Sequence, residues 1–502
     1  MAQTLRPPST LRSYDVCVVG SQLGGIAAGA LLARRGFRVL HVDHDGLGWA
    51  YDDGGYRLPY APALLPSPRL LPAAEAVLEE LSLLSDVGRV LEPCAPDLQV
   101  LLPRHRLDLW RADEPRLAEL KREFGVDADR VSKSLAEAMR LFDAERPFLA
   151  ALPPLPPRGL AERIRLSRAR RHSPDGADGG PVPLSDLGEH PLGAALRGAY
   201  PFLAHVHGSP PRLGLARVLG AVLRGTHRTP WGDVGLREIL RRRIAESRGD
   251  LLGTEDSPVA AESLDVERGR VAAVRLADSD DVYAARAFIC ATDAQALRRI
   301  VPGGGEKLAA QLDLVRPVKR LLAVNWVVRT GALPAPLGPA ALACGTQFGD
   351  PVLLQVLPAL RSGKKSAGEP AADQCVLAAA AFVPVRTQER DSDRIAEQVS
   401  RIRSAVAEFL PFFDRQVLHE SVPLLASSAE RRGTRLLPHP LYEIRRGQVL
   451  GVTGLPTRSA LPNLFFAGRE VLPGLGFEGE FHAALQAANR VETYLGKKPK
   501  PK

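Results

Sequence analysis

Residues 14–43 read YDVCVVGSQLGGIAAGALLARRGFRVLHVD. Asp15–Val19 is a short apolar run, as a central parallel strand requires. Gly20 permits a tight turn, and Gly24 and Gly25 let a helix start close against its neighbours. The predicted helix ends before Phe37–Val42, a second apolar run, which leads to Asp43, 23 residues beyond Gly20. Strand, Gly-rich turn, helix, strand and carboxylate are the layout that binds a dinucleotide. The helix N-terminus meets the pyrophosphate and the acid meets the ribose. The competing reading is an ordinary α/β turn with no ligand. The middle glycine of the GxGxxG pattern is replaced by Gln22. That side chain bends away, hydrogen-bonds to the pyrophosphate, or weakens its binding.

A second Gly-rich stretch lies near the other end. Residues 463–491 read NLFFAGREVLPGLGFEGEFHAALQAANRV, a strand entering a turn and a closing helix. Two such segments at opposite ends predict a chain whose termini meet around one cofactor.

Composition sets the wider limits. The 502 residues are 45% hydrophobic and 25% charged, enough for two or three domains with sizeable cores. The net charge of +9 allows an anionic partner such as a membrane surface, and fits equally a genome that favours arginine. Aromatic residues are only 5%, and no nucleic-acid-binding pattern is present, so no nucleic acid is expected. Five cysteines without a CxxC argue against a disulfide framework or a Cys-rich zinc site. His205 and His207 have strand spacing but no carboxylate or third histidine beside them, so no metal site is expected. No apolar run reaches the length of a membrane span. The expected location is cytoplasmic, with peripheral membrane contact through the basic run RIRLSRARRH at 163–172. A solvated loop is the alternative for that run.

Along the chain, residues 14–60 read as the first nucleotide-binding unit and 71–150 as helix-rich. PFLAALPPLPPRG at 147–159 is a Pro-rich break, and 173–183 a loop. Residues 228–300 predict a helix, an antiparallel meander and a buried strand. LLAVNWVVR, PVLLQVL and CVLAAAAFVPV predict strands, followed by a helix over 392–410. His439, between prolines, is a candidate cavity-lining residue. The tail KKPKPK is expected to be disordered.

The chain resembles the phytoene desaturase-like branch of FAD-dependent oxidoreductases, whose fold is shared with amine oxidases and Rab GDP-dissociation inhibitors. The likeness covers most of the chain and rests on four segments. These are 14–43, DDGGYRLPYAPALLPSP from Asp52, TPWGDVGLREIL at 229–240, and the C-terminal stretch. ARAFICATDAQALRRIV, at 285–301, resembles the strand returning to the FAD domain. The resemblance implies an α/β fold. A Rossmann-like FAD domain with a β-meander would be built from 1–70, 215–300 and 446–496. An inserted α+β substrate domain would come from 71–214 and 301–445, with 497–502 a basic tail.

The cofactor set implied is Gly20, Gln22, Leu23, Gly24, Gly25, Asp43, His44, Val259, Ala291, Gly468, Arg469, Glu470, Gly476 and Phe477. Val259 falls where the family uses a backbone contact to adenine. Gly468 matches a glycine that precedes an acid in the family, and here Arg469 replaces that acid. Pro473–Phe481 resembles the turn that meets the flavin ring. The Gly-Gly-Arg turn expected after Asp43 is absent, with Gly46 and Gly48 but no basic residue.

The implied activity is hydride transfer between flavin and a hydrophobic polyene, isoprenoid or lipid, with no assigned catalytic side chain. The alternative is a cofactor-free carrier of the same fold that binds lipid or a prenylated partner. Gln22, Arg469 and the missing basic turn favour it. An amine oxidase is a third class, disfavoured because no aromatic pair is evident beside the flavin site. Oligomeric state is not legible.

Overall fold

The computed structural model describes residues 12–44, 50–172, 181–229, 235–253, 259–277, 279–363, 368–385, 392–425, 439–445 and 448–496. Several sequence expectations lie outside these residues. They are Gly46 and Gly48, most of the 173–183 loop, Pro230–Val234 of the TPWGDVGLREIL segment, and the KKPKPK tail.

The decisive stretch forms a strand at Arg12–Val19, a helix at Leu23–Arg34 and a strand at Val39–Val42. Five parallel strands make the heart of a seven-stranded sheet. Their order is Asp250–Leu252, Val39–Val42, Arg12–Val19, Val282–Cys290 and Leu464–Phe466. The chain's two ends therefore meet in one sheet, on either side of Val282–Cys290. The N-terminal half of that strand also pairs antiparallel with Arg270–Leu276, which pairs with Ala261–Glu267. This is the meander the alternation in 260–290 predicts.

Helices Leu23–Arg34, Leu236–Glu246 and Gly476–Leu495 cover one face of this sheet, burying Val16, Val18, Ile26, Leu240, Ile289 and Phe481 together. The opposite face carries Cys17, Val19, Leu40 and Phe288 into a second core with the meander. Strands buried on both faces are apolar throughout rather than alternating, which is why VCVV and FIC read as they do.

A second sheet has ten strands. Its main order is Val417–Ser421, Val315–Arg329, Pro370–Pro384, Val352–Arg361, Ala340–Ala343, Leu98–Leu102 and His105–Leu109. Alternate residues of Val315–Arg329 part to its two faces. Leu322, Val324 and Trp326 meet Ile402 and Val406 of helix Ser392–Phe409, while Leu321 and Ala323 meet helices Pro191–Leu203 and Arg212–Leu223. The long helix Ala128–Ala150 packs across Arg212–Leu223, where Gly220 leaves room for Phe142.

Three places differ from the sequence reading. The hairpin Ala50–Asp53/Tyr56–Pro59, read as part of the first nucleotide unit, pairs with Leu360 and Arg361 at the rim of the ten-stranded sheet. Helices Pro72–Glu80 and Leu84–Val90, read with the inserted domain, bury Val77, Leu78 and Val87 against the Rossmann helices. Within the stretch read as helix-rich, Leu98–Leu102 and His105–Leu109 form a hairpin turned at Pro103–Arg104. Proline at the bend and apolar residues on both faces of Leu98–Leu102 override the helical pattern around it.

Candidate functional site

The Gly-rich turn is held by backbone contacts. Gly20 has φ +113°, and its N–H donates to Val42 O at 3.0 Å. A Cβ on Gly20 would lie 2.2 Å from Ala291 O, one on Gly25 2.0 Å from Ala291 Cβ, and one on Gly24 2.0 Å from Ala467 O. Gln22 N donates to Ala291 O at 3.0 Å, and Ala291 N to Val19 O at 2.8 Å. The glycines thus let the helix start press against the ends of Val282–Cys290 and Leu464–Phe466. Leu23, on the first helical residue, is buried and lines the cavity described below.

Gln22 bends away from the helix start. Its Oε1 accepts the Arg469 N–H at 2.9 Å and its Nε2 donates to Glu470 Oε1 at 3.0 Å. A Cβ on Gly468 would stand 1.8 Å from Gln22 Oε1, so a side chain there would displace the Gln22 amide. Gln22 supplies no cap to helix Leu23–Arg34, and the helix carries no acid in its first turn. The carboxylate comes instead from far along the chain. Glu480 Oε2 accepts the Gly24 N–H at 3.2 Å. An anion at the positive end of a helix is the arrangement that a dinucleotide pyrophosphate exploits.

Asp43 is also engaged. Its carboxylate accepts Ser21 Oγ and the Arg241 guanidinium, which also donates to Gly253 O. Burial would raise the Asp43 pKa, but Arg237, His41 and Arg241 together hold it below the usual carboxylate value. His44 Nδ1 accepts the Ala261 N–H at 2.9 Å. A Cβ at Gly253 would lie within 3.1 Å of Asp43 Cβ and 3.3 Å of Val259 N. Asp43, His44 and Val259 are therefore brought to one place, with Arg241 between the carboxylate and the loop.

At the C-terminal segment, Glu470 is buried and accepts hydrogen bonds from Tyr442 Oη at 2.7 Å and from Gln22. Burial, reinforced by Asp293, pushes its carboxyl up to about 7, against the opposing pull of Arg469. Burial disfavours the Arg469 cation, yet Glu480, Tyr442, Glu470 and Asp293 keep it protonated. Among the described residues the Nε of Arg469 is buried without a hydrogen-bond partner. Gly476, at φ +52°, starts the closing helix, and a Cβ there would meet Leu203 O at 1.7 Å. Phe477 packs edge-on against Phe481, with 5.1 Å between ring centroids. Next to it, Glu478 forms a buried pair with Arg217.

Of these groups, Ser21, Leu23, Arg237, Arg469, Phe477, Glu478 and Glu480 line one cavity of about 230 Å³, whereas Asp43, His44, Val259 and Glu470 are not part of its lining. It begins at Ser21 and Leu23, passes Arg469, Glu478 and Glu480, and ends among Phe202, Leu321, His205 and His439. It thus bridges the Rossmann turn and the ten-stranded sheet. Most of its wall is aliphatic. The His205 and His439 rings lie 4.1 Å apart by centroid. Burial first, then neighbouring positive charge, lowers both pKa values, so both rings are neutral near pH 7. His207, paired with His205 by spacing in the sequence, donates its backbone N–H to Tyr442 O. Among the described residues no group of three or more His, Cys, Asp or Glu is placed to hold a metal.

The structure brings the segments singled out in the sequence close together, with partners that the sequence did not indicate. Ser21, Arg237, Arg241, Tyr442, Arg217, Glu478 and Glu480 were all missed. Glu478 and Glu480 had a signal: two acids among glycines, opening an otherwise apolar helix. Arg241 had none, since it stands in the run Arg241–Arg243.

A family model described as an NAD(P)-binding Rossmann-like domain matches residues 18–81. No curated protein matches the chain. Among solved structures, an oxidoreductase from Methanosarcina mazei superimposes with a TM-score of 0.59 at 12% identity, covering 94% of this chain and 99% of its own. A putrescine oxidase variant gives 0.58 at 13%, covering 97% and 100%. A Rab GDI from Plasmodium falciparum gives 0.53 at 9%, covering 96% and 98%. The chain thus has a Rossmann-like domain within a mixed α/β fold that it shares with these solved structures.

Proposed function

We propose that the protein is an FAD-dependent oxidoreductase that acts on an apolar substrate. The observation that carries this reading is the cavity joining the Gly20–Gly25 turn, through Ser21 and Leu23, to the apolar wall at Phe202 and Leu321. A dinucleotide site and an apolar substrate site would then be continuous. The residues present suit an anionic dinucleotide: Gly24 N–H already holds a carboxylate, and the buried Nε of Arg469 is an unused donor. The Gly20–Gly25 turn, Asp43, Val259 and Arg469 would hold the cofactor. Bound FAD would supply hydride acceptance or donation. The chain's own part would be to exclude water with Leu64, Val218 and Leu321 and to keep His205 and His439 neutral beside the substrate.

By the resemblance, the substrate would be a polyene, isoprenoid or other lipid. It would be collected through helix Gly159–Arg170, which exposes Leu160 and Ile164 among Arg163, Arg165 and Arg168. Among the described residues no helix is long and apolar enough to cross a membrane.

The test is to purify the protein, record its visible spectrum, denature it and assay the supernatant for flavin. Released FAD supports the reading. A colourless protein that fails to take up added FAD favours the second reading, a cofactor-free carrier of apolar ligands. Two observations favour that alternative. Glu480 already occupies the Gly24 N–H, and the cavity is smaller than the roughly 300–1,000 Å³ of a drug-sized ligand site.

A further inference from the structure

We infer that Glu480 is an internal stand-in for the cofactor's pyrophosphate, so that dinucleotide loading proceeds by displacing this carboxylate from the start of helix Leu23–Arg34. The inference rests on the flavin reading above and says how that site is controlled.

The geometry comes from two helices packed side by side with their starts together, Gly24 beside Glu480 and Arg35 beside Glu492. Gly24 sits one residue inside Leu23–Arg34, and Glu480 lies in the first turns of Gly476–Leu495. A Cβ on Gly24 would stand 2.8 Å from Glu480 O, so the two backbones approach closely at this point. The Glu480 side chain runs from there to the Gly24 N–H. Glu480 is 9% exposed, and among the described residues no salt bridge to it is formed; Arg469 is its electrostatic neighbour.

Placing a carboxylate here satisfies a donor that would otherwise be orphaned at the helix end, and it neutralises part of Arg469. A pyrophosphate offers the same chemistry to the same two groups, with more charge and more acceptor oxygens. Glu480 and pyrophosphate therefore compete, and the binding energy of the dinucleotide is reduced by whatever Glu480 gains in place. Gln22 reinforces the closed arrangement without touching Glu480, because it ties Arg469 N and Glu470 to the turn. Flexible glutamate is suited to this role: unlike a backbone obstruction, it can turn away once a stronger anion arrives.

The experiment measures dissociation constants for FAD, ADP and riboflavin by equilibrium dialysis. It uses the full-length wild type, Glu480→Gln and Glu480→Ala. ADP carries the pyrophosphate without the flavin, and riboflavin the flavin ring without the pyrophosphate. A charge at a partly buried helix end is worth up to about 2 kcal/mol, so FAD and ADP should bind Glu480→Gln about 5- to 30-fold more tightly than wild type. Riboflavin should be unchanged. Glu480→Ala provides a second reading should the glutamine keep the Gly24 contact. Equal FAD and ADP affinities in all three proteins would overturn the stand-in and leave the flavin reading intact. Absence of FAD and ADP binding in every protein, each with a cooperative thermal transition, would overturn both. Tighter riboflavin binding alone would also overturn it, since the gain would not come from the pyrophosphate.

Discussion

Arg217 and Glu478 face each other as a two-pronged ion pair, with Nε to Oε2 at 3.0 Å and Nη2 to Oε1 at 3.1 Å, and both side chains are almost wholly buried. Arg217 also donates to Phe142 O at 2.6 Å, and its guanidinium lies 4.0 Å over the Phe142 ring. The pair ties helix Arg212–Leu223, under the large sheet, to the closing helix of the Rossmann layer.

Removing one member leaves a buried charge alone. Arg217→Met or Glu478→Gln is expected to lower unfolding free energy by about 3–5 kcal/mol. The double variant Arg217→Met with Glu478→Leu should recover much of that loss. Urea unfolding of the three proteins checks this, and a double variant that is the sum of the two singles would refute it.

Glu470 should give the protein a distinctive pH dependence. Its folded pKa of about 7 lies above the unfolded value of 4.5. The folded state therefore holds the proton that the unfolded state releases. The associated stability is fully present below about pH 4.5 and is lost as pH rises through about 7. The shift corresponds to at most about 3 kcal/mol for this buried group. His41, His439 and His482, whose pKa values burial lowers to about 4, act in the opposite sense and lose stability as pH falls below 6.5. The useful quantity is thus a difference. Wild type minus Glu470→Gln should decline in stability from pH 5 to pH 8 by thermal melting, and a flat difference would contradict it.

Two glycines should respond oppositely to alanine. At Gly24 the new Cβ would meet Ala467 O at 2.0 Å, a backbone atom that cannot step aside cheaply. Gly24→Ala is expected to cost about 1–3 kcal/mol or more. Gly88, inside helix Leu84–Val90, has nothing within 4 Å of its Cβ position. Gly88→Ala should stabilise by about 0.5–1 kcal/mol. Chemical denaturation distinguishes them.

The proposed membrane contact is testable at helix Gly159–Arg170. Leu160 is 75% exposed and Ile164 43%, one turn apart on the same face. The double variant Leu160→Glu with Ile164→Glu should bind vesicles containing phosphatidylserine at least tenfold more weakly than wild type in co-sedimentation. Unchanged binding would remove the helix from the docking surface.

The sequence made the parallel sheet legible because its strands carry unbroken apolar runs and its turn carries glycines at fixed spacing. It also revealed the meander through the alternation in 260–290. Long-range pairings were hidden. The hairpin at 50–59 looked local to the Rossmann unit, yet its partner strand is Val352–Arg361. The partners at the site were hidden for the same reason. Asp43 and Arg241 are 198 positions apart, and Gly24 and Glu480 are 456 apart. No local pattern reports which charge will reach which helix end. The Gln22 amide accepts the Arg469 N–H and donates to Glu470, 448 positions away, another pairing that no local pattern reports.

The three glycines of the turn each clear a piece of the protein's own backbone or side chain at Ala291 and Ala467. Natural selection for folding alone would keep them. A lineage of this fold could give up its nucleotide and still display most of the fingerprint for as long as the helix stays docked. Gln22 and Glu480 differ, since it is their side chains, not backbone clearance, that occupy the ground beside the turn. Surveys of such chains should therefore weigh residue 22 and the acid at 480 above the glycines when sorting nucleotide users from descendants that have abandoned it.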